Sequence, residues 1–138
     1  MMAPPMPAIS ALYAALIALL LLVLGMRISR FRRRTLIGIG GGGDPAFERA
    51  IRAHGNAVEW ALPVLLLLLI AELNRATPFL LHACGIVLVA ARVLHATGLS
   101  RTTGYSFGRF AGIGMTWLVL VVLAVFDVQA FLRTLAVS

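Results

Sequence analysis

Six polar side chains crowd into the stretch FERAIRAHGNAVEW, residues 47–60, just where the chain turns apolar. They are Glu48, Arg49, Arg52, His54, Asn56 and Glu59, and the chain continues from Trp60 as WALPVLLLLLIA. An ionisable side chain in such a segment is costly in hydrocarbon unless it is paired or faces a cavity, so it is read as functional by default. On a helix, Arg49, Arg52, Asn56 and Glu59 follow at intervals of three, four and three, which sets all four on one stripe. Two guanidinium groups, a carboxamide and a carboxylate along one face suit a small zwitterionic ligand that carries carboxylates and an amine. The competing reading is a polar network that ties helices together, at about 0.6 kcal/mol per interhelical pair.

The elements that must position this stripe are membrane helices. Hydrophobic residues make up 61% of the 138 residues, against about 45–50% in soluble domains, and the mean hydropathy is +0.98. The apolar runs reach the length of about 20 residues that crosses a bilayer core of about 30 Å. The fold class expected is an all-α integral membrane protein, one domain over residues 1–138, built as a four-transmembrane-helix bundle with spans at about 7–30, 45–74, 78–97 and 109–132. Asp44-Pro45 and Thr77-Pro78 read as cap-then-proline helix starts. Pro63 falls inside span two and predicts a kink, and Gly98 reads as the stop of span three. The glycines at 40–43 lack the GK[ST] ending of a phosphate loop and read as a hinge. The leader MMAPPMPAIS has no basic residue, so span one is read as a retained helix rather than a cleaved signal.

The net charge of +7 comes from arginine alone, and the arginines gather at the ends of apolar runs. That is a topology pattern, not a nucleic-acid surface. Arg27, Arg30, Arg32, Arg33, Arg34, Arg49 and Arg52 surround loop one, and Arg101 and Arg109 surround loop three, with Arg92 nearby. Loops one and three are therefore expected in the cytoplasm and both termini outside. Cys84 is the single cysteine, which excludes an intrachain disulfide and a CxxC motif, and it reads as a packing residue. Three histidines without a close carboxylate or cysteine partner make a poor metal site, so no metal is expected. His82 reads as structural, and Asp127 is expected to meet the interface or Arg133. Ala83, Gly85, Ala90 and Ala91 in span three, and Gly108, Gly112 and Gly114 in span four, are small enough for close helix approach. Trp117 has no role assigned from the sequence.

The pattern Phe47-Glu48-Arg49, Arg52-Ala53, Asn56, Glu59 is the complete spacing FER-x-x-R-A-x-x-N-x-x-E. With four spans in about 140 residues, the chain resembles the MAPEG family, the membrane-associated proteins in eicosanoid and glutathione metabolism, over about residues 8 to 133. The resemblance implies a homotrimer that binds glutathione between neighbouring subunits near the cytoplasmic face. Arg52, Asn56 and Glu59 match the positions that hold the tripeptide, with Arg49 beside them, and His54 matches a position that reaches the neighbouring site. Arg109, in RFAGIGMT, aligns with the arginine that activates the thiol in transferase members, and Arg27 or Arg30 with a helix-one arginine that meets a glutathione carboxylate. His95 and Leu99 stand where the eukaryotic synthases carry two tyrosines, and ARVLHATGL resembles the bacterial branch, which implies a bacterial plasma membrane.

The activity implied is a glutathione-dependent transferase or peroxidase. Its partners would be the thiol as co-substrate, a hydrophobic electrophile or lipid peroxide, and the membrane lipids. A guanidinium cannot act as a base at neutral pH, so Arg109 would work electrostatically, favouring the thiolate of a group that titrates near about 8.5 when free. The rivals are a non-catalytic lipid-binding or adaptor protein on the same scaffold, and a small multidrug transporter. The transporter would carry an embedded glutamate in span one, where this chain has no acidic residue.

Overall fold

The computed structural model describes residues 6–102 and 104–137; the leader at 1–5, Thr103 of the third loop and Ser138 lie outside the described residues. It comprises α1 (Ala8–Thr35), α2 (Pro45–Leu73), α3 (Pro78–Arg101) and α4 (Phe107–Val137), with no strand among the described residues. Each helix is long and apolar enough to cross a membrane. The protein is an all-α four-helix membrane bundle.

The helix starts follow local chemistry. The Asp44 carboxylate accepts from the backbone N–H groups of Ala46 at 2.8 Å and Phe47 at 3.4 Å, which are orphan donors of the first turn of α2. The Thr77 hydroxyl accepts from Leu80 N–H at 3.3 Å and opens α3 in the same way. Pro7 offers α1 no side-chain cap. Glu72, near the end of α2, does this instead: its carboxylate accepts from Ile9 N–H at 2.9 Å, Ser10 N–H at 2.7 Å and the Ser10 hydroxyl at 2.6 Å. A carboxylate from one helix thus neutralises the positive end of another and locks their register.

Three helix ends run past the sequence expectation, the fourth helix continuing beyond 132 to Val137. The first helix runs on past Arg30 through Arg32, Arg33 and Arg34 to Thr35, because arginine is a good helix former and cations suit a helix C-terminus. The third passes straight through Gly98 to Arg101. Gly98 is a contact residue, not a stop: a Cβ there would lie 2.9 Å from the Arg109 backbone nitrogen.

The segment expected as a hinge is a bonded turn. Gly40, Gly42 and Gly43 have φ of +67°, +59° and +82°, a region that favours glycine. Glu48 accepts from Gly41 N–H at 2.6 Å. The Arg32 guanidinium donates to the carbonyls of Ile37 and Gly38 and lies over the Phe47 ring at 5.5 Å. Phe31 stacks on the same ring at 5.1 Å.

The main core lies toward the end that carries the termini, where Tyr13, Ile17, Leu68, Leu81, Leu88 and Leu123 are buried together. The Tyr13 hydroxyl meets His82 Nδ1 at 2.8 Å. Asp127 accepts from the Asn74 amide at 3.5 Å rather than meeting Arg133; six residues along a helix is not a shared face. α1 rests on α2 and α3 but not on α4, whereas α3 and α4 make the most extensive pairing. A Cβ at Gly108 would lie 2.9 Å from the Leu94 carbonyl, and one at Gly112 would lie 2.6 Å from the Ala91 carbonyl. Gly114 has nothing within 4 Å and takes no part in this approach.

Candidate functional site

The polar stripe of α2 runs beside a stripe of buried alanines. Ala50, Ala53, Ala57 and Ala61 are each at most 3% exposed, and each follows by one residue Arg49, Arg52, Asn56 or Trp60. One residue is about 100° around a helix. The alanines therefore press into the neighbouring helices while the polar side chains come out along the edge of that contact, facing the end of α3 and the start of α4.

There they line a chamber of about 320 Å³ formed by Ile51, Arg52, Gly55, Asn56, Glu59, His95, Leu99 and Arg109. A second chamber of about 420 Å³ adjoins it toward the glycine turn, sharing Arg52, Leu99 and Arg109 and adding Gly43, Pro45, Glu48 and Arg49. On the other side lies a crevice of about 580 Å³, sharing Asn56, His95 and Arg109 and lined further by Trp60, Tyr105, Phe110, Ile113 and Trp117. The Trp60 and Trp117 ring centroids are 5.8 Å apart. Arg109 borders all three spaces, at the junction of a charged compartment and an aromatic one.

Local bonds hold these side chains in place. The Arg109 backbone N–H donates to the Ser106 carbonyl at 3.1 Å, and its guanidinium donates to the Gly104 carbonyl at 2.7 Å. Arg49 Nε donates to the Ser100 carbonyl at 3.3 Å, tying the start of α2 to the end of α3. His95 is 7% exposed and points between the chamber and the crevice. One turn earlier on α3, Arg92 is 1% exposed. Its guanidinium donates to Asn56 Oδ1 at 3.2 Å and to the Gly112 carbonyl at 3.0 Å. That carbonyl also accepts from the Thr116 hydroxyl at 2.8 Å.

Of the residues singled out in the sequence, Arg52, Asn56, Glu59, His95 and Arg109 thus surround one chamber, and Arg49 borders the next. His54, Arg27 and Arg30 line none of the three spaces. His54 faces α1 instead, with its Nε2 3.7 Å from where a Cβ on Gly25 would stand. Arg27 and Arg30 sit on α1, the helix that does not touch α4. Arg92 and Trp117 went unassigned in the sequence. The early signs for Arg92 were its place near the loop-three arginines and three residues before His95; for Trp117 there was none, since its partner Trp60 is on another helix.

With Arg49, Arg52 and Arg109 at its walls against Glu59, and Glu48 committed to Gly41, the groove favours an anion. Its guanidinium groups are donors only. They can hold carboxylates and favour a thiolate over a thiol, but they cannot take up a proton.

Comparison with known proteins identifies the family. Residues 10–127 match the family model described as MAPEG family. The chain is similar to the inner membrane protein YecN of Escherichia coli K12, at 41% identity over 118 residues covering 84% of this chain and 88% of that protein. The protein of the same name from Escherichia coli O6:H1 matches to the same extent. The matched stretch contains the whole polar stripe of α2, the end of α3 and the start of α4, and on this ground the chain belongs to the MAPEG family.

Proposed function

We propose that the protein is a glutathione-dependent transferase or peroxidase of the bacterial inner membrane, acting on hydrophobic electrophiles, with loops one and three in the cytoplasm. One observation carries the reading: a cationic chamber and an aromatic crevice meet at Arg109. A tripeptide with two carboxylates and an amine is matched by Arg52, Asn56 and Glu59, with Arg49 and His95 at the edges of the same groove. Its sulfur would lie near Arg109, whose charge favours the thiolate. An apolar electrophile entering from the lipid would occupy the crevice between Trp60 and Trp117. The carbon–sulfur bond forms there as the leaving group departs with its electron pair.

The chamber would be completed by a neighbouring subunit. Arg52 and Glu59 are exposed on a single chain, and Glu59 stands at the middle of α2. A charge at the centre of a membrane helix costs on the order of 2.5–3.5 kcal/mol if it faces lipid. A homotrimer removes that cost, with Arg27 or Arg30 and His54 of a neighbour closing over the ligand.

The test is the ultraviolet thiolate difference spectrum on adding glutathione to the detergent-purified protein, repeated with Arg109→Ala. A band near neutral pH that disappears in the variant supports the enzyme. No band in folded, oligomeric protein rejects it. The second reading, a non-catalytic lipid-binding protein, is favoured by Leu99, which puts an apolar side chain in both polar chambers where the synthases carry a tyrosine.

A further inference from the structure

We propose that Arg92 is a positioning residue that sets the polarity of the Asn56 contact. It takes the carboxamide oxygen and leaves the amide NH2 for the chamber, committing that point of the site to an acceptor oxygen of the ligand. The inference rests on the reading that the chamber binds a ligand, and it adds which kind of atom the ligand presents there.

The argument starts from donor counting. Arginine carries five N–H donors and no acceptor, whereas a carboxamide has one acceptor oxygen and one donor nitrogen. The Asn56 atom 3.2 Å from Arg92 Nη1 is therefore its oxygen. Because the carboxamide is planar, its nitrogen lies on the other branch of the group, and Asn56 borders both the charged chamber and the aromatic crevice. Both remaining donors belong to that side. Without Arg92, the group could present either atom to a ligand.

The guanidinium is itself held from a second direction. Its Nη2 donates to the Gly112 carbonyl of α4 at 3.0 Å, so Arg92 links α2, α3 and α4 at the level of the site. This grip depends on the tight α3–α4 approach at Gly112. A planar fork with two fixed directions can satisfy Asn56 and Gly112 together, whereas a lysine ammonium offers no such fixed fork.

A staple between helices does not by itself account for this residue. Arg92 is 1% exposed in a membrane helix, both its partners are neutral oxygens, and its Nε has no partner. A buried charge with such partners is costly, and a packed apolar side chain would serve stability better. What an apolar residue cannot do is fix the orientation of Asn56, or add positive charge beneath a site for anions.

The test uses the full-length protein in detergent, glutathione as the probe, and the variants Asn56→Asp, Arg92→Lys and Arg92→Met with the double variant Asn56→Asp/Arg92→Met. Asn56→Asp keeps the acceptor for Arg92 and removes the donor. It is expected to hold or raise the unfolding midpoint while weakening glutathione at least about tenfold, the scale of one charge-assisted hydrogen bond. Arg92→Met is expected to raise the Kd for glutathione about tenfold, the scale of one lost hydrogen-bond orientation, and Arg92→Lys is expected to rescue it only in part. Wild-type glutathione binding in folded Arg92→Met or in Asn56→Asp overturns the proposal. Should Arg92→Met fail to fold, Asn56→Asp still decides, because it leaves Arg92 in place. Should the wild type itself bind no glutathione, the proposed function falls, and the stability cycle decides Arg92 alone. Asn56→Asp must then be less favourable in the Arg92→Met background than in wild type; equal effects in both remove the pairing and the proposal with it.

Discussion

A single methyl group at position 112 tests the helix approach that builds the site, without involving any ligand. A Cβ at Gly112 would stand 2.6 Å from the Ala91 carbonyl oxygen and 2.8 Å from the His95 backbone nitrogen. These distances are roughly 1 Å short of an ordinary nonbonded separation of about 3.5 Å. The obstructing atoms are backbone together with the His95 Cβ, none of which a rotamer change can move, so α3 must move away from α4. Overpacking of this kind costs about 1–3 kcal/mol. Against that, replacing glycine by alanine inside a helix gains about 1 kcal/mol of propensity. Gly114, two residues on, has nothing within 4 Å, so Gly114→Ala collects the propensity gain alone. Subtracting one variant from the other cancels that common term and leaves the approach itself. In equilibrium unfolding, with detergent micelles titrated with SDS, Gly114→Ala should match or exceed wild type. Gly112→Ala should fall about 1–3 kcal/mol below Gly114→Ala. Part of the loss would come from Arg92, whose hydrogen bond ends on the Gly112 carbonyl. Equal stability of the two alanine variants would refute the close packing of α3 on α4 and, with it, the placing of Arg109 and His95 around one chamber.

The remaining expectations concern the caps and the chemistry. Asp44→Ala removes the acceptor for Ala46 and Phe47 N–H and should cost about 1 kcal/mol, with faster amide exchange confined to the first turn of α2. Glu72→Ala releases the Ile9 and Ser10 amides and the Ser10 hydroxyl. It should cost about 1.5–3 kcal/mol, the range for hydrogen bonds to a charged group, and expose the start of α1 to protease while glutathione affinity stays at the wild-type value; unchanged proteolysis would show that α1 needs no cap from α2. Arg109→Ala should abolish the thiolate band in a protein that still folds and assembles, at a stability cost of about 0.5–1.5 kcal/mol for the lost bond to the exposed Gly104 carbonyl. A band of full height in the variant would assign thiol activation elsewhere.

Local signals were readable in the chain because their physics spans only a few residues. The run lengths that cross a bilayer, the Asp44-Pro45 and Thr77-Pro78 starts, and the three-four-three spacing of Arg49, Arg52, Asn56 and Glu59 each depend on neighbours within one or two turns. They set where helices form and which face of α2 is polar. What that face meets depends on how α3 and α4 are rotated and how closely they pack, and this rests on contacts between residues far apart in the chain. Gly98 looked like a stop and is a contact for Arg109. The glycines at 40–43 looked like a hinge, but Glu48, Arg32 and Phe47 organise the turn they belong to. Asp127 was expected to meet the interface or Arg133 and accepts from Asn74. Glu72 carried no sign that it would cap the start of α1, more than 60 residues earlier in the chain. The residue types and their stripe were thus determined by the sequence alone. Only the tertiary structure brought Arg52, Asn56 and Glu59 around one chamber with His95 and Arg109, and set Arg92 behind it, because that convergence is decided by side-chain volumes at the α3–α4 contact.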